Sequence, residues 1–196
     1  VLLDREPAQI ENMRQIKIRS FYGDATRPDL LHSAGAGQAR VFVVAIDDRD
    51  QAVALVTHLK HAYPELFVLA RAYDRGHHYS LRDAGADYIV NETYHSALAL
   101  GAEALQKLGV HPFRAEKLRV AFDLQEHEGR ELLYEKWRAK SDGERYGTGY
   151  QELYIQLEEA LSGIMQSDRD DRHSRSERGW TPPPKGYSDA FKEPEP

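Results

Sequence analysis

Val41-Phe42-Val43-Val44-Ala45-Ile46 runs straight into Asp47-Asp48. The six residues are apolar without a break and rich in β-branched and aromatic side chains. A strand solvated on one face alternates apolar and polar residues, whereas a strand of a covered parallel sheet reads as a continuous apolar run. The stretch therefore predicts a strand buried on both faces, with two acids at its carboxyl end.

Outward from this strand, strand and helix patterns alternate. Upstream, Val1-Leu2-Leu3 reads as a strand ending in Asp4. Pro7 suits a first helical turn, and Ile10, Met13 and Ile16 give that helix its apolar stripe. Ile18 to Tyr22 reads as a second strand, closed by Gly23-Asp24, and Pro28 opens a short helix that stops near Gly35. Downstream, Val53, Leu55, Val56 and Leu59 mark a helix ended by Pro64. Leu66 to Ala70 is the next strand; a helix runs to Gly85, and Ala86 to Val90 is one more strand. Strand starts recur roughly every 20 to 25 residues, the spacing of β-α-β units.

Right-handed crossovers then predict an α/β fold, a Rossmann-like parallel sheet with helices on both faces. A ligand of such a sheet sits beyond the carboxyl ends of the strands. Those ends are Asp4, Gly23-Asp24-Ala25-Thr26, Ile46-Asp47-Asp48 and Arg71-Ala72-Tyr73-Asp74. Aspartate also favours strand ends and helix caps for local reasons, the plainer account of Asp24 and Asp74 taken singly. A dinucleotide site places a glycine-rich turn after its first strand and a ribose-reading acid about 20 residues later. Asp4 has the place of that acid, and no glycine-rich turn precedes it. The expectation is that the first strand, its glycine loop and the first helix lie upstream.

After Val90, Asn91 or Thr93 caps a helix through Leu98, Ala102, Leu105 and Leu108, closed by Gly109. Pro112 starts a long charged helix to about Lys140, in which Gly129 is a candidate bend. Ser141 to Gly149 reads as a linker. Tyr150, Leu153, Tyr154, Leu157, Ala160, Leu161, Ile164 and Met165 follow helical spacing. From Gln166 the chain is polar, carries Pro182-Pro183-Pro184, and is expected to be disordered. Three regions result: a nucleotide-binding domain over 1–92, a helical dimerisation extension over 93–165, and a tail over 166–196.

Composition removes several classes of function. The 196 residues hold no cysteine, which excludes disulfides, a cysteine nucleophile and a thiolate metal site. A membrane-spanning helix needs about 20 apolar residues, far more than the run at Val41. No basic start leads into an apolar stretch, so no secretory signal is read. A net charge of −6 without a basic block argues against a nucleic-acid partner. His58 and His61 stand three apart but have no third ligand in the pattern, so no metal site is expected. Asp47-Asp48 lacks a histidine or lysine at a neighbouring strand end, so no catalytic group and no enzyme are expected. A nucleotide-binding module is the reading the residues favour. A fragment of a soluble NAD-dependent dehydrogenase and a dimerising scaffold with a vestigial nucleotide site stay open.

V-L-L-D-R-E-P at the start, F-Y-G-D-A-T-R-P-D-L-L-H-S-A-G-A over Phe21–Ala36, A-I-D-D, A-R-A-Y-D and L-R-D-A-G-A-D follow one another. In this order they resemble the RCK (KTN, TrkA-N) domain, and more closely the cytosolic regulatory domain of Kef-type potassium efflux antiporters. The resemblance covers residues 1 to about 125. It implies a domain that binds AMP or NAD(H), forms a homodimer through the helices after its last strand, and gates a potassium/proton antiporter. The expected partners are that membrane antiporter domain of the same polypeptide, at the cytoplasmic face of the inner membrane, and, as a further candidate, an ancillary oxidoreductase. Residue by residue, Asp4 falls where the family reads the ribose, followed by Arg5. Asp24, Ala25 and Thr26 border the adenine; Ile46, Asp47 and Asp48 lie beside ribose and phosphates; Arg71 meets phosphate or the neighbouring subunit. A carboxylate accepts both ribose hydroxyls and an arginine fork suits phosphate, in agreement with that placement. Two positions depart from glutathione-gated members. Those members carry an arginine just before E-T-[FY], where this chain has Asn91, and a later asparagine, aligned here with Glu126. The resemblance with these departures implies that glutathione binds weakly or not at all.

Overall fold

Leu2–Asp4 (β1) and Ser20–Tyr22 (β2) pair in parallel. Val41–Val44 (β3), Phe67–Ala72 (β4) and Tyr88–Asn91 (β5) form a second parallel sheet in the order β3-β4-β5. These elements belong to a computed structural model that describes residues 1–170. The first unit, Val1–Leu108, also holds five helices: Pro7–Gln15 (α1), Pro28–Ala34 (α2), Arg49–Ala62 (α3), Arg75–Asp83 (α4) and Tyr94–Lys107 (α5). The second unit, from Gly109 onward, holds Pro112–Arg138 (α6) and Thr148–Asp170 (α7).

Five of the helices start where the chain can begin one cheaply. Pro7, Pro28 and Pro112 stand in first turns, where a missing N–H costs nothing. Asp48 and Asp74 accept from Gln51 N–H and His77 N–H and so cap α3 and α4. Gly35 ends α2 with φ of 94°, a left-handed conformation that glycine adopts without steric cost.

The core lies on one face of the β3–β5 sheet. Val44, Val68, Ala70 and Ala72 point to it and meet Leu31 of α2, Ala52, Leu55, Val56 and Leu59 of α3, and Leu81 of α4. Leu3 of β1 joins the same cluster. On the opposite side of the smaller sheet, Ser20 donates its hydroxyl to the carbonyl of buried Ile10, which places α1 there. Helices thus pack on both sides of the β1–β2 pair, whereas the described helices α2, α3 and α4 pack on one face of the β3–β5 sheet. The apolar run at Val41 departs from expectation. Val44 is buried, but Val41 and Val43 are 53% and 63% exposed. Side chains alternate across a strand, and among the described residues no helix covers the side to which Val41 and Val43 belong. No ladder joins β1 to β3.

At the opposite end of the sheet, Lys60 Nζ reaches the Leu66 carbonyl at 3.1 Å and Asp87 Oδ2 at 3.0 Å. The same carboxylate oxygen accepts Val68 N–H at 2.7 Å. This polar staple fastens α3 to the starts of β4 and β5.

In the second unit, α6 continues through Gly129 without interruption. A Cβ at Gly129 would stand 3.2 Å from Leu157 Cδ1, so glycine there admits the close approach of α7. Near the hairpin's turn, Trp137 is buried, stacked by Tyr134 at 6.2 Å and covered by the Arg145 guanidinium 3.9 Å from its ring. Helix α7 runs to Asp170, five residues past the expected boundary at 165. Of the expected tail, residues 171–196 lie outside the described residues.

Asp87 gives a test of the staple. Burial opposes its ionisation, but Val68 N–H and the Lys60 ammonium outweigh burial and hold the carboxyl below its ordinary value. A carboxyl more acidic in the folded than in the unfolded chain stabilises above the unfolded pKa, and that stability is lost as pH falls through the folded value. Asp87→Asn is expected to lower the unfolding free energy in urea by about 1–3 kcal/mol at pH 7. The gap between variant and parent is expected to narrow as the pH is brought down into that acidic window.

Candidate nucleotide site at the strand ends

The carboxyl ends of the parallel strands carry the residues the sequence singles out. Asp4 closes β1; its Oδ1 accepts Glu6 N–H at 2.8 Å, and its carbonyl accepts Gly23 N–H at 2.9 Å. Among the described residues its second carboxylate oxygen has no partner, so one acceptor is left for a ligand hydroxyl. Gly23 has φ of 154°, and an added Cβ would fall 2.4 Å from Leu30 Cδ1, so the turn out of β2 requires glycine. Asp24 follows. Its Oδ1 accepts Thr26 N–H at 2.9 Å and the Thr26 hydroxyl at 2.7 Å. These two bonds, with smaller help from Arg5 and Arg27, hold the Asp24 carboxyl below its ordinary value. Ala25 packs half-buried on the core, and Ile46 does the same after β3.

Arg71, on β4, ties three strand ends together. It donates to the Ala45 carbonyl at 2.9 Å and to Asp47 at 2.5 Å, and pairs with Glu92 at 2.9 Å. The hydrogen bond to Asp47, reinforced by Glu92, raises the guanidinium's pKa. Asp47 itself is 91% exposed, so its carboxylate stands open to solvent while one oxygen holds Arg71. Asp48 is committed to the α3 cap.

One turn further round the rim, Asp74 caps α4 and binds Arg49 at 2.7 Å, and Arg49 lies 4.1 Å over the Tyr73 ring. His77 Nδ1 accepts Tyr73 N–H at 3.1 Å, and burial pushes its pKa down, keeping the imidazole neutral. His78 is buried and meets Asn91 Oδ1 through Nδ1 at 2.9 Å.

The structure thus brings Asp47 and Arg71 into direct contact, places Arg5 within electrostatic reach of Asp24, and links Asp4 to the Gly23–Thr26 turn. No hydrogen bond among the described residues connects the Asp4–Asp24 group with the Asp47–Asp48–Arg71 group. Glu92, Arg49 and the His78–Asn91 pair are rim residues to which sequence reasoning assigned no contact. The signal for Glu92 was the parallel register: Arg71 pairs with Val90, and Glu92 lies two residues on, on the same side. Chemically, the rim offers carboxylate acceptors suited to vicinal hydroxyls and one arginine fork suited to an anion. Among the described residues no group of three histidines, cysteines or acids could hold a metal ion.

Residues 1–92 match the TrkA-N domain, and residues 96–179 match the potassium efflux system KefB C-terminal domain. The chain belongs to the TrkA-N and KefB C-terminal family of potassium efflux systems. It is 36% identical over 180 residues to the glutathione-regulated potassium-efflux system protein KefC of Salmonella arizonae. It is 36% identical over 183 residues to that of Escherichia coli. Each match spans 92% of this chain and 28% of the relative's length. Among solved structures, the Shewanella denitrificans Kef C-terminal domain in its AMP-bound form is 40% identical, with a TM-score of 0.60 over 67% of this chain and 80% of that one. The GsuK RCK domain is 28% identical, with a TM-score of 0.50 over 56% of this chain and 23% of that one. In this family member no helix of the described residues is long and apolar enough to cross a membrane.

The two partners of the Asp47–Arg71 pair carry unequal structural weight. Arg71→Ala removes bonds to Ala45, Asp47 and Glu92 at once and is expected to cost about 1–2 kcal/mol in urea unfolding. Asp47→Asn removes a charge that is nearly all in water and is expected to change stability by less than about 0.5 kcal/mol. Equal losses in the two variants would show that the ion pair, not the tie to the strand ends, holds Arg71.

Proposed function

We propose that this chain is the regulatory module of a potassium/proton efflux antiporter. It binds AMP or NAD(H) at the carboxyl ends of its strands. It works as a homodimer at the cytoplasmic face of the inner membrane, beneath the antiporter's membrane domain in the same polypeptide. The observation that carries this reading is the rim itself: a free carboxylate oxygen on Asp4, the exposed carboxylate of Asp47, and the Arg71 fork beside it. The AMP-bound relative at 40% identity supports the choice of ligand.

The phosphate-binding element of the site is assigned to an additional parallel strand and glycine turn between β1 and β3. Both strands pair on one side only, and β-edges left open invite a partner strand. Ligand bound across that junction favours one arrangement of the dimer and shifts the gate by its difference in affinity for the two arrangements. The dimer is expected through α5, a helix with no buried residue, in which Leu100 is 72% exposed and which Leu108, 80% exposed, directly follows.

Calorimetric titration with AMP and with NADH, on a chain extended upstream by one strand and glycine turn, tests the site. Binding is expected, and Asp4→Ala is expected to weaken it by about 1.5–3 kcal/mol, tenfold or more. Unchanged affinity in that variant removes Asp4 from the site.

Glutathione adducts are expected to bind weakly or not at all. Asparagine at position 91 brings neither a positive charge nor a bidentate fork to a carboxylate, and its carbonyl oxygen is already held by buried His78. Asn91→Arg is expected to raise affinity about tenfold and, by stripping His78 of that partner, to lower the melting temperature. Micromolar binding by the parent chain with no gain in Asn91→Arg would overturn this expectation.

A further inference from the structure

The chain turns into α4 through a reciprocal pair of hydrogen bonds. The β4–β5 ladder ends at Ala72, paired with Asn91, so the Tyr73 N–H lies beyond it and needs a partner elsewhere. His77 supplies one: its Nδ1 accepts Tyr73 N–H at 3.1 Å. In return, Asp74 Oδ1 accepts His77 N–H at 2.8 Å. Counted from Asp74 as the N-cap of α4, His77 is the third helical residue. This is the layout of a capping box, in which the N-cap side chain bonds the N–H three residues on and that residue's side chain reaches back to the start of the helix. The returning side chain is ordinarily glutamate or glutamine. Here it is an imidazole, and it lands on the residue before the cap.

That substitution changes how the box responds to pH. Glutamate and glutamine accept throughout the neutral range, whereas histidine changes its charge within it. A backbone N–H can only donate, so Nδ1 must keep its lone pair and the ring proton of the neutral imidazole sits on Nε2. A second proton could go only to Nδ1, where it would set two donors against each other in the same buried space. His77 is 6% exposed, and its buried Nε2 makes no hydrogen bond of normal geometry, although the Arg49 backbone favours its proton. The charged or titratable groups around the ring are Arg49 and Asp50 of α3, Asp74 before α4, and His78 on α4 itself. Asp74 and Asp50 favour a charged ring and Arg49 opposes it, but burial outweighs all three and lowers the pKa. Arg71 and Glu92, at the ends of β4 and β5, pair with each other.

We propose that His77 is a proton-operated latch on the corner between β4 and α4: neutral, it closes the capping box; protonated, it swings out and frees Tyr73 and Asp74. The corner carries two exposed groups of the rim. Asp74 Oδ2 holds Arg49 at 2.7 Å, and Arg49 lies over the Tyr73 ring, itself 58% exposed. Opening therefore loosens a cation and an aromatic ring next to Asp48, at the same end of the strands as Asp47 and Arg71. The open ring titrates at the ordinary histidine value and the closed ring below it. Closure is thus favoured above the ordinary value and is lost as the pH falls from there towards the lowered one. The latch depends on local geometry alone and stands whether or not the rim binds a nucleotide.

Hydrogen exchange of the Tyr73 amide, read by nuclear magnetic resonance on the full chain and corrected for the intrinsic rate, follows the latch from about pH 8 to about pH 5. The amide is expected to be protected at the upper end. Protection is expected to fall about tenfold across the range, in step with the ring nitrogen signals of His77, at a midpoint below the ordinary histidine value. His77→Gln restores a side chain that accepts at every pH and is expected to keep the amide protected throughout. His77→Ala offers no acceptor and is expected to leave it unprotected throughout, with a helical circular dichroism spectrum. If the alanine variant does not fold, the parent and His77→Gln decide alone. Protection in the parent that stays constant across the range overturns the latch. A His77→Gln variant that loses protection as the parent does also overturns it, since the proton then acts elsewhere.

Discussion

Strands paired in parallel cannot be joined by a tight turn, so the connections from β1 to β2, β3 to β4 and β4 to β5 must each carry the chain back to the end of the sheet where the strands begin. That constraint explains most of what the first unit looks like. It gives each strand a helix or helical crossover to follow it, gathers Asp4, Asp24, Asp47 and Asp74 at one rim, and sends Lys60 and Asp87 to the other. It also fixes on which face each helix can lie. The dense core of Val44, Val68, Leu55, Val56 and Leu81 and the bare row of Val41, Val43, Phe67 and Tyr88 are two consequences of one alternation along the same strands.

The acids at the rim are not equivalent, and local geometry separates them. Asp24 is occupied by its own turn, Asp48 and Asp74 by helix caps, and each of these bonds would form in any protein with the same few residues. Asp4 and Asp47 retain capacity: one oxygen free on the first, nearly full exposure on the second. Under the proposed function, recognition of a ligand with hydroxyls and a phosphate would fall to these two and to Arg71. The capping acids shape the loops that present them.

The order of elements was legible because each signal is local. Prolines in first turns, aspartate caps, glycine with positive φ, and periods of two or 3.6 residues depend on a few neighbours only. The location of Asp4, Asp47 and Arg71 at strand ends followed from topology in the same way. Exposure of Val41 and Val43 was not legible, because a continuous apolar run reports that both faces meet apolar surroundings somewhere, not that one chain supplies them. The close approach at Gly129 was not legible, since sequence shows a missing side chain but not Leu157 filling the space it leaves. Helix α7 continued past Met165 because a helix propagates at small cost once formed, even where its residues turn polar. The rim's ion pairs were hidden for a different reason. Arg71 chooses among Asp47, Glu92 and the Ala45 carbonyl by distances of an ångström, which composition does not encode.

Arg71 connects the rim to the bare face. Alternation puts its stem on the same side as Val43 and Val90, while its guanidinium reaches over the ends of β3 and β5. An anion arriving at the rim competes with Asp47, whose carboxylate is well solvated and gives up the contact at little cost. It does not readily displace the Ala45 carbonyl or Glu92, which hold the guanidinium from two neighbouring strands. The arginine can therefore exchange one partner for a ligand while its stem stays in place among the apolar side chains of the face. Under the proposed function, a ligand at the rim and whatever covers that face would meet the same side chain. Coupling between two sites requires a group whose state both of them affect, and under that proposal the residue that meets the requirement is Arg71.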